Sequence, residues 1–146
     1  MKIELSNEQY RDLVMLVCLG DWVRGDVADQ RGENSDRWKK IKERVLFAAI
    51  NENIPGIAEL FHGTIMTTDN LSHEYEEMLD EYNNEIFWHE LSLRLGQRDY
   101  EREATKEDIG YTESHYGMLP EKVHKYYKKY DDEFEDNGIE RLEIKE

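Results

Sequence analysis

Between Glu74 and Glu103 the chain runs thirty residues without a proline and places an apolar side chain at every third or fourth position. A helix turns 100° per residue, so this spacing gathers the side chains on one face, and no strand or loop does the same. Leu71, Tyr75, Met78, Leu79, Tyr82, Ile86, His89, Leu93 and Tyr100 form that face, which is expected to meet a core. The opposite side begins as an acidic face of Glu74, Glu77, Asp80, Glu81 and Glu85 and then becomes apolar at Phe87, Trp88, Leu91 and Leu95. A helix that is apolar all round has to be covered on both sides, so these four residues are the expected interface with a partner.

The charges at the two ends favour one long helix. Glu74, Glu76 and Glu77 follow Ser72, read as the N-cap, while Arg94, Arg98 and Arg102 crowd the last turns, each sign where the macrodipole favours it. Asn83, Asn84 and Gly96 are its weak points, because these residue types cost helix propensity. Thirty residues at ~1.5 Å rise reach roughly 45 Å. That exceeds the diameter implied by a radius of gyration of ~15 Å, so the helix is expected to project or to bend.

Around it the other elements are short. Ile3 and Leu5 read as a strand, and Ser6 with Gln9 has the form of a capping box opening a helix from Asn7 to about Arg24. Residues 25–35, GDVADQRGENS, read as loop. Asn34 or Ser35 caps the next helix, from Asp36 to about Asn51, with Trp38, Ile41, Val45, Leu46, Ala49 and Ile50 inward and Asn53 closing it. Pro55 is expected to start a third short helix through Ile57, Leu60, Phe61 and Ile65. Beyond Ala104 the segment up to Met118 reads as loop with about one helical turn. Pro120 then opens a helix through Val123, Tyr127, Tyr130 and Phe134 that stops at Asn137 and Gly138. Leu142 and Ile144 match Ile3 and Leu5 in side-chain period.

The expected fold is therefore mostly α: a single-domain bundle (residues 1–146) of four to five helices around one long central helix. A small antiparallel β-ribbon formed by the two termini completes it.

Composition removes several function classes. A net charge of −15 sets phosphate-rich partners at a disadvantage, so neither direct nucleic-acid binding nor an anionic membrane surface is expected. No cation lies between Val45 and Leu93, whereas Arg37, Lys39, Lys40, Lys42 and Arg44, and later Lys122, Lys125, Lys128 and Lys129, are clustered. The segment KVHKYYKK, Lys122 to Lys129, alternates cations with aromatics as single-strand binders do, but its tyrosine spacing suits packing and an acidic run follows it. Cys18, the lone cysteine, sits in an apolar run and reads as a buried thiol, so no disulfide framework exists. Without an apolar leader or a long apolar run, the expected location is cytoplasmic.

Chemistry-bearing motifs are few. Two E-x-x-H spacings, Glu59 with His62 and Glu121 with His124, resemble in form the way four-helix carboxylate proteins hold metals. With five histidines and 22 glutamates in 146 residues, about 0.75 such spacings arise by accident, so no metal and no cofactor are expected. His89 reads as a core-edge histidine. Tyr111, Glu113, Ser114, His115 and Tyr116 gather catalytic residue types between two glycines, although adjacency of Ser114 and His115 does not make them a catalytic pair. The leading expectation is a small acidic module that binds another protein or itself. A metal-dependent or loop-based enzyme and an acidic mimic of nucleic acid are the alternatives, so enzymatic activity is not the first reading.

Overall fold

The structure, a computed structural model, describes residues 3–143. Five α-helices and one two-stranded antiparallel sheet follow in the order α1 (Asn7–Arg31), α2 (Asp36–Asn51), β1 (Ala58–Phe61), β2 (Thr64–Thr67), α3 (Asp69–Glu103), α4 (Lys106–Ser114) and α5 (His124–Asn137). A 3₁₀ turn, Glu121–Val123, leads into α5. The chain divides into two compact units, Met1–Glu81 and Tyr82–Glu146.

In the first unit α1 opens as expected. The Ser6 hydroxyl accepts from the Gln9 amide at 3.2 Å and the Gln9 side chain accepts from the Ser6 amide at 3.0 Å. The helix then runs on past Gly25 to Gly32, whose φ of 65° makes the left-handed stop. Two tertiary contacts outweigh the ~1 kcal/mol propensity cost of an interior glycine. Ala28 is buried, and the Arg24 guanidinium lies 4.3 Å over the Trp38 ring of α2. At the start of α2 it is Asn34, rather than Ser35, that accepts from the Asp36 amide, at 2.7 Å. Asn53, at φ 54°, follows its end. The Tyr10 hydroxyl donates to the Val45 carbonyl at 2.6 Å and Lys42 pairs with Asp21 at 3.3 Å, tying α1 to α2.

The expected third helix is instead a hairpin. Register pairs Phe61 with Thr64, leaving His62 and Gly63 as a two-residue turn with both φ values positive, 49° and 82°. Turns of this hand match the twist of paired strands, and the β-branched run Thr64, Ile65, Thr67 suits the second strand. Ile57, Leu71, Tyr75 and Leu79 then close a core with Val14, Met15, Cys18, Leu46 and Ala49. Among the described residues this hairpin is the whole sheet, so the ribbon of the two termini is corrected. Ile3–Leu5 form no strand, 139–143 are turn and coil, and Ile144 lies outside the described residues.

Helix α3 starts at Asp69, three residues before the expected cap, and continues without interruption through Asn83, Asn84 and Gly96. Ser72 lies inside its first turn, where its hydroxyl is 2.6 Å from that of Thr67. The single core stripe is also corrected: Met78, Tyr82 and Ile86 are exposed, and so is His89. Beyond Glu81 the buried positions of α3 are Ser92, Gly96 and Tyr100, four residues apart. Segment 105–118 is more helical than expected, because Thr105 and Asp108 form a reciprocal capping box that starts α4. Helix α5 ends at Gly138, as its Asn-Gly pair indicated.

Candidate functional site

The residues that organise the second unit lie where α5 meets α3. Ser92 and Gly96 are small, and at Gly96 the backbone of α5 presses on α3: an added Cβ would stand 2.6 Å from Tyr127 Cδ1 and 2.9 Å from Tyr127 N and Tyr126 C. About two turns earlier the Trp88 ring tilts against Phe134 at 5.6 Å between centroids, and its indole N–H donates to Asn84 Oδ1 at 3.1 Å. Trp88, Leu91 and Leu95 are half-buried here, while Phe87 is exposed and meets the Trp88 ring edge-on at 5.0 Å. Of the four residues expected to face a partner, Trp88 therefore already has an aromatic neighbour within its own unit.

One turn beyond Gly96, Asp99 collects a polar network. Tyr130 donates to its Oδ2 at 2.5 Å and Lys129 to the same oxygen at 3.1 Å. Arg98 donates to Oδ1 from Nε and Nη2, at 3.0 and 2.8 Å, and from Nη2 to the Tyr130 hydroxyl at 3.0 Å. These donors, the Tyr130 hydroxyl foremost, hold the Asp99 carboxyl far below the usual carboxylate range. Arg102 Nη1 lies 3.8 Å from Asp99 Oδ1, too far for a hydrogen bond. Leu95, Arg98, Arg102 and Tyr130 line a cavity of about 500 Å³ together with Arg141, Leu142 and Glu143.

A second polar node sits at α4. Lys122 pairs with the buried Asp108 at 2.5 Å, and with the Thr105 amide and hydroxyl it holds that carboxyl down to about 2. Nearby, the Tyr126 hydroxyl donates to Glu103 at 2.6 Å. Asp108 also borders a mostly apolar cavity of about 340 Å³ lined by Tyr100, Ala104, Ile109, Thr112 and Leu119.

The motifs singled out in the sequence fall as follows. Glu59 lies on β1 and His62 in its turn, so this E-x-x-H pair does not share a helix face. Glu121 belongs to the 3₁₀ turn and His124 to the first turn of α5. Among the described residues no three histidine, cysteine, aspartate or glutamate side chains stand close enough to hold a metal ion together. His115 Nδ1 lies 2.8 Å from the Tyr111 carbonyl and 3.0 Å from Ser114 Oγ, and Ser114 itself donates to that carbonyl at 2.9 Å. A ring nitrogen that donates to a carbonyl has no lone pair with which to take the serine proton, so adjacency leaves Ser114 without a base. On the acidic face, Glu74 is bonded to Arg11, which lowers its carboxyl, and Glu77 faces His73 at 3.1 Å. Asp80, Glu81 and Glu85 are exposed, and Glu85 borders a cavity with Trp88, His89 and Asp131. Cys18 is buried, which raises its thiol.

Sequence reasoning did not single out Asp99 or Arg141, and it read Lys129 only as part of a cation cluster and Tyr130 only as part of a packing stripe. The available signal was Asp99 lying between Arg98 and Arg102, cations already explained by the helix dipole. Among the described residues, no helix is long and apolar enough to cross a membrane. No family model, curated protein or solved structure matches this chain.

Proposed function

We propose that this protein is a binding module that associates with a second copy of itself through the outer face of α1. The observation carrying this reading is the row Leu13, Leu16, Gly20, Val23, spaced three, four and three, whose members all face solvent. Leu16 is 67% and Val23 52% exposed. Such spacing is the seam of a helix pair, and an apolar seam turned to water is stabilised by a partner helix. Gly20 sits near its middle with nothing within 4 Å of an added Cβ, which lets a second backbone come close.

Antiparallel pairing about Gly20 brings the basic last turn of one copy, with Arg31, level with the acidic first turn of the other, with Glu8. The α1 row suits this role better than Phe87, Trp88, Leu91 and Leu95, since Trp88 is already packed on Phe134. One helix pair buries less than the ~1,200 Å² of a standard interface, so the association is weak. Each copy carries −15. Repulsion between copies is screened beyond ~8–10 Å at ~0.1 M salt, so added salt strengthens the pairing.

Sedimentation equilibrium over a concentration series tests this. Wild type is expected to shift toward dimer with concentration and with salt, whereas Leu16→Glu stays monomeric with an unchanged helical signal. A wild type that remains monomeric at millimolar concentration, or a Leu16→Glu variant that pairs equally well, overturns the reading.

A further inference from the structure

The geometry points to the arginine-lined cavity of the second unit as a binding site for a phosphate monoester with an apolar body. Asp99 accepts four hydrogen bonds, two from Arg98 and one each from Lys129 and Tyr130, which saturates the acceptor capacity of a carboxylate. Nothing on Asp99 is left for Arg102, which donates no hydrogen bond among the described residues and is 69% exposed at its side chain. Arg141 makes one long contact, 3.4 Å to Glu133, and is 68% exposed. Each guanidinium has five donors in a fixed fork, so Arg102 and most of Arg141 remain unused at the cavity wall.

The cavity wall itself is cationic in an acidic chain. Its charged lining residues are Arg98, Arg102, Arg141 and Glu143, an excess of two positive charges where the chain as a whole carries −15. Asp99, Glu133 and the sequence neighbours Glu101, Glu103 and Glu140 work against an incoming anion, so binding depends on hydrogen bonds from the arginine forks rather than on net charge.

The kind of anion follows from the donors. Arg102 and Arg141 both carry free donors on this wall, and a phosphate dianion has oxygens for more than one fork, whereas a carboxylate is used up by one. Leu95 and Leu142 on the same wall favour an ester group over free phosphate.

Titration of the full chain with phenyl phosphate, inorganic phosphate and phenol at low salt, followed by amide NMR shifts or calorimetry, tests the site. Phenyl phosphate is expected to bind saturably and several-fold more tightly than inorganic phosphate, and phenol not at all. Arg102→Ala and Arg141→Ala, both at exposed side chains, should each weaken phenyl phosphate about five- to tenfold with an unchanged circular dichroism spectrum. Arg94→Ala removes the same charge from a residue paired with Glu90 and absent from the cavity wall, and should leave binding unchanged. No saturable binding, equal loss in Arg94→Ala, or unaltered binding in an Arg102→Ala, Arg141→Ala double variant overturns the proposal. Equal affinity for phenyl phosphate and inorganic phosphate overturns the ester assignment.

Discussion

Replacing Gly96 with alanine sets two opposing effects of similar size against each other, and the structure decides which prevails. In an open helix interior the change gains ~1 kcal/mol, because alanine loses less conformational entropy than glycine. At Gly96 the new methyl would lie 2.6 Å from Tyr127 Cδ1 and 2.9 Å from two backbone atoms of α5. Carbon atoms prefer ~3.5–4.0 Å, so α5 has to retreat by roughly 1 Å. The tyrosine ring can swing away, but the backbone of α5 cannot. Its retreat would loosen Trp88 on Phe134 and the Tyr130 bond to Asp99. Overpacking of this kind costs ~1–3 kcal/mol, so the net expectation is a loss of about 1–2 kcal/mol. Gly110 in α4 is the control, since its added Cβ meets nothing within 4 Å and Gly110→Ala should stabilise by up to ~1 kcal/mol. Urea titrations followed by Trp88 fluorescence, with Trp22 and Trp38 replaced by phenylalanine, read the second unit directly. A Gly96→Ala variant whose midpoint rises as that of Gly110→Ala does would refute the close approach of α5.

Asp99 makes stability depend on acid. Its folded pKa is depressed by Tyr130, Arg98 and Lys129. An unfolded aspartate titrates near ~3.9, so the stabilisation is complete above about pH 4 and is lost as pH falls toward the folded value. The stability gap between wild type and Asp99→Asn, measured by urea titration, should be constant from pH 7 to about 5 and shrink below about 4. A gap that persists unchanged at pH 2 would remove Asp99 as the source. Cys18 is 1% exposed and its thiol is raised by burial, so a thiol reagent should label it only as the protein unfolds. Rapid labelling without denaturant would place it outside the core.

What the sequence determined by itself was local. Ser6 with Gln9, Asn34 before Asp36, Asn53 after α2 and the Asn137-Gly138 stop act through hydrogen bonds and backbone preferences within a few residues, and each marks a helix end in the structure. The 3.6-residue period likewise identified α3 and the burial of Leu71, Tyr75, Leu79 and Tyr100. The His62-Gly63 turn was equally local but was masked by Pro55, which also opens helices. Tertiary structure decided what periodicity cannot carry. Gly25 remains helical because Arg24 stacks on Trp38 of another helix and Ala28 is buried, and tertiary effects of that kind outweigh propensity. Gly96, a weak point in the sequence, is a buried position because α5 needs the space. Asp99 meets Lys129 and Tyr130 thirty or more residues away, and Arg102, 3.8 Å off, is left without a hydrogen-bond acceptor because those partners and Arg98 occupy the carboxylate. A residue's charge is written in the sequence, but whether that charge is already satisfied depends on neighbours that only folding supplies.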